Sequence, residues 1–329
     1  MEGGGGQRGS SKHAAGEAEE YHCHDFQWED LRAEVEANPA FSYHLSPFAP
    51  TAGTSQPPPS SDAWRSFHRR HTSGKFFKER RYLLKEFPEL NSKGSENVLE
   101  VGCGNGSTVV PILRSSPGIT VYACDCSKET LEKTNEIVCN TRGVDVKDRF
   151  HPFLLDVSTE TFPDWLFCKS CRSSRANGVD LLLSLNNCNM IEKLPAFLTD
   201  DQRCVGGIDF ITMIFTLSAI PLDIMPAILE RCVSVLKPGG LVLFRDYGLY
   251  DMTMLRFLPH QRVGFREYMR SDGTFSYYFT LDVVRELFRA SGLLELDLEY
   301  CCVSSVNRKN SKKMQRVWVH GKFQKPTAV

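Results

Sequence analysis

Apolar and polar positions along this chain follow two alternating patterns. Short apolar runs of strand length fall at 97–101, 119–124, 150–155, 208–215 and 240–246. Between them lie longer stretches with helical spacing, from Ser107, over about 127–141 and over 223–236. Strands that alternate with helices predict an α/β fold with a mostly parallel, doubly wound sheet. Toward the C-terminus a helix is expected over 280–290, followed by apolar-rich runs at 293–303 and 315–323 with polar Asn307 to Lys313 between them. That spacing predicts an antiparallel hairpin at the sheet edge and seven strands in total.

Two regions depart from the alternation. Residues 158–207 have weak periodicity and read as an insertion between the third and fourth strands. The first 20 or so residues are rich in Gly, Ser and Glu and are expected to be disordered. Trp28 to Glu36 has a helical pattern that stops at Asn38-Pro39, and a Pro/Ser/Thr-rich linker containing Pro57-Pro58-Pro59 follows. The expected organisation is an N-terminal extension over 1–60, largely disordered with a short helix, then a basic-aromatic segment over 61–96. The α/β domain covers 97–325 and carries the insertion.

Composition adds mainly exclusions. Hydrophobic content of 41% and charged content of 24% suit a soluble globular protein, and no apolar run approaches the length of a membrane span. The N-terminus has no apolar core and little Arg, so neither a secretory nor an organellar leader is expected; the cytoplasm, or also the nucleus, is the expected location. A net charge of −1 announces no nucleic-acid binder for the chain as a whole. Several of the 12 cysteines (Cys103, Cys124, Cys139, Cys232) sit in core-like runs and read as reduced thiols. Cys168-x-x-Cys171 has knuckle spacing, but Cys188 and Cys204 stand singly and far apart, so no metal centre is expected from this set.

The chemistry concentrates at Val98-Leu-Glu-Val-Gly-Cys-Gly-Asn-Gly-Ser107. An apolar run ends in Glu100 and breaks into Gly102, Gly104 and Gly106, just before a helical segment. Glycines at such a turn let the backbone bend sharply and approach a ligand without a Cβ in the way. The spacing is G-x-G-x-G, not the G-x-G-x-x-G of a dinucleotide site. Asp125 ends the second strand about 20 residues on, where a carboxylate can accept from both ribose hydroxyls. Its other reading is a cap for the helix that begins near Ser127.

The glycine turn resembles the first motif of class I S-adenosylmethionine (SAM) methyltransferases. That resemblance implies SAM as cofactor and a Rossmann-like sheet, with Glu100, Gly102, Gly104, Gly106 and Asp125 at the site. It also places Asp156 at the adenine amino group and Val157 beside it with a backbone N–H. Ile214 would pack on the adenine face, or simply in the core. Trp64 is the candidate aromatic for the sulfonium.

Three further stretches narrow the resemblance: Trp64-Arg-Ser-Phe-His-Arg-Arg-His71 with Lys75-Phe-Phe-Lys-Glu-Arg-Arg-Tyr-Leu83, Leu236-Lys-Pro-Gly-Gly-Leu-Val-Leu-Phe-Arg-Asp-Tyr247, and Arg270-Ser-Asp-Gly-Thr-Phe-Ser-Tyr-Tyr-Phe279. In this order, over about 62–156 and 208–323, they resemble the tRNA 3-methylcytidine methyltransferases. The family's tyrosine after Trp64 is His68 in this chain, which puts that SAM contact in question. Membership implies methyl transfer to N3 of a cytidine in a tRNA anticodon loop, with tRNA as partner and an aminoacyl-tRNA synthetase or other helper protein alongside. N3 of neutral cytosine already has an in-plane lone pair, so no general base is expected. Arg245 and Asp246 are candidates for positioning the target base, or else form a structural ion pair. The block from Trp64 to Arg81 holds seven Lys or Arg and four aromatics. Arg69, Arg70, Lys75, Phe76, Phe77, Lys78, Arg80 and Arg81, with Arg266 and Arg270, are the RNA-binding candidates. The plainer reading of the block is an amphipathic helix with solvated charges. A protein or small-molecule acceptor, and a non-catalytic RNA-binding scaffold, are the alternative functions.

Overall fold

A computed structural model of the chain describes residues 23–48, 61–71, 78–144, 146, 148–167, 205–307 and 312–327. Five strands come first: β1 (Asn97–Val101), β2 (Thr120–Asp125), β3 (Phe150–Leu154), β4 (Ile208–Ile214) and β5 (Leu236–Tyr247). Three short strands follow, β6 (Arg262–Gly264), β7 (Glu267–Met269) and β8 (Phe275–Tyr277), and then the long pair β9 (Leu294–Asn307) and β10 (Lys312–Gln324). The main sheet has seven strands in the order β3-β2-β1-β4-β5-β10-β9. Strands β1 to β5 pair in parallel, and β10 runs antiparallel to both β5 and β9. This is the doubly wound sheet and terminal hairpin expected from the pattern.

The helices are α1 (Trp28–Ala37), α2 (Ser42–Leu45), α3 (Ser61–Arg70), α4 (Leu83–Glu86), α5 (Val109–Ser115), α6 (Lys128–Cys139), α7 (Met225–Val235) and α8 (Leu281–Ala290). The sheet is covered on both faces. One cluster joins Ile211, Met213 and Val242 to Ile228 and Leu229 of α7 and Phe288 of α8. The other joins Val98, Val121 and Leu243 to Val109 and Ile112 of α5 and Leu83 of α4. Burial on both faces explains why the central strands read as unbroken apolar runs. Strand order reverses between β1 and β4, and in open α/β sheets the crevice at such a switch point takes the ligand.

Strand β5 begins at Leu236, earlier than the expected 240, because Leu236 pairs with Ile208 before an irregularity that takes in Pro238 and Gly239. The small antiparallel sheet β6-β7-β8 was not anticipated. The short helix expected in the extension is α1, but it is docked on the domain. Its Leu31 and Val35 are buried in a third cluster with Tyr250, Met254, Tyr268 and Val317, and Trp28 stacks on Tyr300 at 4.7 Å. Within the expected extension, residues 23–48 are described, and apolar side chains on one face of α1 find a partner surface there. At the near end of the insertion, Trp165, Leu166 and Phe167 join the main core. Cys168, Cys171, Cys188 and Cys204 lie outside the described residues, among which no cluster suited to a metal ion occurs.

Candidate active site

The glycine turn sits at the C-terminal end of β1, with Gly102, Gly104 and Gly106 all at positive φ (71°, 52° and 75°). The N–H groups of Gly102 and Cys103 donate to Cys124 O at 2.9 and 3.0 Å, which ties the turn to β2. A Cβ on Gly102 would lie 2.6 Å from Thr216 Cγ2, so that glycine serves close packing. A Cβ on Gly104 would meet nothing nearer than His68 Cε1 at 3.9 Å. Gly104 faces a space roofed by α3, where bare backbone can approach a ligand.

Asp125 is buried at the end of β2. Its Oδ2 accepts from Gly104 N at 3.0 Å and its Oδ1 from Ser127 N at 3.0 Å. The cap of α6 is Ser127, whose Oγ accepts from Thr130 N. Asp125 thus braces the glycine turn, and each oxygen keeps a second lone pair for a ligand.

Helix α3 lies over the turn. Phe67 anchors it, and burial lowers the pKa of His68, against an opposing pull from Asp125, so its imidazole is neutral near pH 7. The indole Nε1 of Trp64 is buried without a hydrogen-bond partner among the described residues. Arg65 donates to Cys126 O (2.9 Å), Asp62 Oδ1 (2.7 Å) and Asp156 Oδ2 (3.3 Å), so α3 is bound to the ends of β2 and β3. Beside these residues a cavity of about 450 Å³ is walled by Arg65, Cys126, Lys128, Leu154, Asp156 and Glu160. The sequence reading missed Arg65 and Leu154. Nothing in the local pattern says that a helix arginine would reach two strand ends, or that Leu154 at the exposed edge strand would be left 56% open.

Glu100 is buried, with one carboxyl oxygen lacking a partner among the described residues. Burial pushes its pKa up to about 8, while Arg80 and Thr108 pull the other way, so it is largely protonated near neutrality. Val157 follows Asp156, packs against the main core, and accepts from Arg231 Nη1 through its carbonyl at 2.8 Å.

Ile214 ends β4 and is buried in the cluster that holds Val98 and Leu243, in keeping with the core alternative. Two expectations need correction. Arg245 and Asp246 neither face a cleft nor pair with each other, because successive residues of β5 point to opposite covered faces. Arg245 is buried against Glu86 Oε1 at 2.5 Å, between the rings of Tyr82 and Trp318. Asp246 is fully buried and accepts from Ser218 N (2.9 Å) and Tyr247 N (2.8 Å). It thereby holds the loop after β4. That loop begins with Phe215 at φ +57°, a strained position for a non-glycine residue, with Tyr247 5.1 Å away and the Arg80 guanidinium 5.3 Å above its ring. Phe215 and Tyr247, at the C-terminal ends of adjacent central strands, were not singled out from sequence.

The basic candidates divide by position. Arg69 and Arg70 are exposed on the last turn of α3, and Arg70 pairs with Asp272 in the β7–β8 turn at 3.4 Å. Lys78 and Arg81 are also exposed. Arg80 instead braces the glycine turn, through its N–H to Ser107 O and its guanidinium to Thr108 Oγ1. Arg266, at φ +65°, lies over Phe265, and Arg270 lies over Phe257. Lys75, Phe76 and Phe77 lie outside the described residues.

The donor set suits SAM: a cradle at Gly104 that a Cβ would fill, carboxylates at the strand ends at Asp125 and Asp156, and an indole nearby with no hydrogen-bond partner among the described residues. With the sheet order, these define a class I SAM-dependent methyltransferase. A model of the methyltransferase domain matches residues 68–295. The chain is 35% identical over 272 residues to tRNA N(3)-methylcytidine methyltransferase Mettl2 of Drosophila melanogaster, spanning 80% of this chain and 70% of that protein. It is 33% identical over 270 residues to human tRNA N(3)-cytidine methyltransferase METTL6, spanning 80% and 79%. A SAM-dependent methyltransferase of Anabaena variabilis shares the fold at 12% identity, with a TM-score of 0.52 over 84% of this chain and all of that one. The chain belongs to the tRNA N(3)-cytidine methyltransferase family.

Proposed function

We propose that this chain transfers the methyl group of SAM to N3 of an unpaired cytidine in the anticodon loop of tRNA. The observation that carries the reading is identity of about one third, over four-fifths of the chain, to relatives named for that reaction, in a chain that keeps the glycine turn, Asp125 and Asp156. SAM supplies an electrophilic methyl on a sulfonium. Gly102, Gly104 and Gly106 with Asp125 would hold its methionine and ribose portions, Asp156 and Val157 its adenine, and Trp64 and His68 would cover it from α3. Glu100 lies beneath the turn. N3 of cytosine attacks with its own lone pair, so the protein's task is alignment of nucleophile, methyl and sulfur. The reacting edge is the Watson–Crick edge, so the base must be unpaired and held by stacking. Segment 61–96 would serve both ligands, with Arg69, Arg70, Lys78 and Arg81 on phosphates. No helix among the described residues is long and apolar enough to cross a membrane. The reading places the chain in the cytoplasm, or also the nucleus, with an aminoacyl-tRNA synthetase or other helper protein as a second partner.

The test is recombinant protein with methyl-labelled SAM, offered total tRNA and a protein extract separately, each with and without cell lysate as a source of helper. Label in tRNA, recovered as 3-methylcytidine, is expected. Label in protein alone, or in another tRNA nucleoside, contradicts the proposal.

A further inference from the structure

The two oxygens of Asp156 have different partners beside the cavity. Its Oδ1 is taken by Ser158, whose N–H and hydroxyl donate at 3.2 and 2.5 Å. Its Oδ2 receives Arg65 Nη2 at 3.3 Å, and both residues line the cavity. The carboxylate side chain is 10% exposed, so little water competes for that oxygen. Arg65 is itself fixed at two other points, through Nε to Cys126 O and Nη1 to Asp62. A guanidinium is a rigid fork with donors only, and held at three points it cannot turn to accept a hydrogen bond. Across the same cavity, the half-exposed Leu154 supplies an apolar wall in an otherwise polar rim, a surface suited to the face of a planar ring.

We propose that Arg65 is a positioning residue for the cofactor, which holds Asp156 Oδ2 toward the cavity as an acceptor and so makes the site select a 6-aminopurine. This rests on the assignment of the cavity to the adenine end of SAM. An adenine amino group can donate to the carboxylate in exchange for the Ser61 hydroxyl, which also bonds it, while Arg65 keeps its contact with Oδ2. A 6-oxo purine would instead set its carbonyl oxygen against a carboxylate oxygen that cannot donate, which leaves both desolvated and unpaired. Charge state favours the same outcome. Although burial raises the pKa of Asp156, the Ser158 and Ser61 hydrogen bonds and the Arg65 charge outweigh it and hold the carboxyl below its usual range. Two side chains of α3 thus reach Asp156, Arg65 by an ion pair and Ser61 by a hydrogen bond.

The experiment is calorimetric titration of the full chain with S-adenosyl-L-homocysteine and with its 6-oxo counterpart, S-inosyl-L-homocysteine. The wild type is expected to prefer the 6-amino ligand. Arg65→Ala should weaken it about tenfold or more, the scale of a lost charge-assisted contact, and leave the 6-oxo ligand much less changed, so the preference shrinks. Arg65→Lys, with charge but no fork, should fall between. Asp156→Asn, whose amide can donate to a 6-oxo group, should move the preference toward the inosyl ligand even if Arg65→Ala folds poorly. An unchanged ratio in Arg65→Ala, including equal losses for both ligands, would overturn the proposal and leave Arg65 a structural tie. Failure of the wild type to bind either ligand would instead overturn the SAM assignment beneath it.

Discussion

Burial alters the ordinary chemistry of two carboxyl groups at the ends of the central strands. Glu100 is pushed up to about 8 and Asp246 to about 6, in each case mainly by desolvation. A carboxyl whose native pKa is raised keeps a proton that the unfolded chain has already released, so the native state loses stability as pH rises from the usual carboxylate range to the raised value. For Glu100 that window runs from the ordinary 4.5 to about 8. Glu100→Gln removes the titration, so its melting temperature should fall less between pH 5 and pH 8 than that of the wild type. Parallel pH profiles for the two proteins would contradict the assignment. The glycines offer a second residue-level contrast. Gly102→Ala places a Cβ 2.6 Å from Thr216 Cγ2 and should destabilise by about 1–3 kcal/mol in denaturant titration. Gly104→Ala points a Cβ into open space under His68, so it should cost only the positive-φ strain, about 1 kcal/mol, yet weaken binding of S-adenosyl-L-homocysteine far more than Gly102→Ala.

Among the elements, β5 and α4 are joined by a buried charge cluster. Arg245 pairs with Glu86, and Glu86 also accepts from His320 at 3.0 Å, with both members of the ion pair almost wholly buried. Glu86→Ala would leave the Arg245 guanidinium buried without its anion, so a loss of about 3–5 kcal/mol is expected by chemical denaturation. A loss under 1 kcal/mol would mean that the tie between α4 and the sheet contributes little. The same strand shows where reading the sequence stops. The alternation of apolar runs and helical spacing was enough to place β1 to β5, α5 to α8 and the terminal hairpin within a few residues, because each buries an apolar run or face against the sheet. It could not place Arg245 and Asp246, since a central strand is covered on both faces and its polar residues can be satisfied inside. The sheet β6-β7-β8 was illegible because its strands have three residues each, too few for a period of two to emerge. Around the candidate site, the places of Gly104 and Asp125 at strand ends were legible from spacing, and that of Asp156 from the resemblance. Arg65 and Phe215 were not, because their placement depends on α3 lying over the strand ends and on a left-handed residue after β4.

At the scale of the whole molecule, residues 23–48 form a layer against the region after β5 and the β9–β10 hairpin. Leu31 is buried there among Tyr250, Met254 and Val317. Leu31→Ala should cost about 2–5 kcal/mol and lower the melting temperature of the whole protein in one transition. A separate early transition would show that the layer is not cooperative with the sheet. The segment also brings the chain's N-terminal part to the side of the molecule that carries Arg266, Arg270 and the β7–β8 turn. That turn in turn meets α3 through Asp272 and Arg70. Helix α3, the small sheet and the N-terminal layer are thus in contiguous contact. The most direct test of the central claim is nucleoside mass spectrometry of tRNA from cells lacking this protein, in a background without a redundant relative. Loss of 3-methylcytidine from at least one tRNA, restored by the wild type and not by an Asp125→Ala variant, is the predicted result. Unchanged 3-methylcytidine in every tRNA would contradict it.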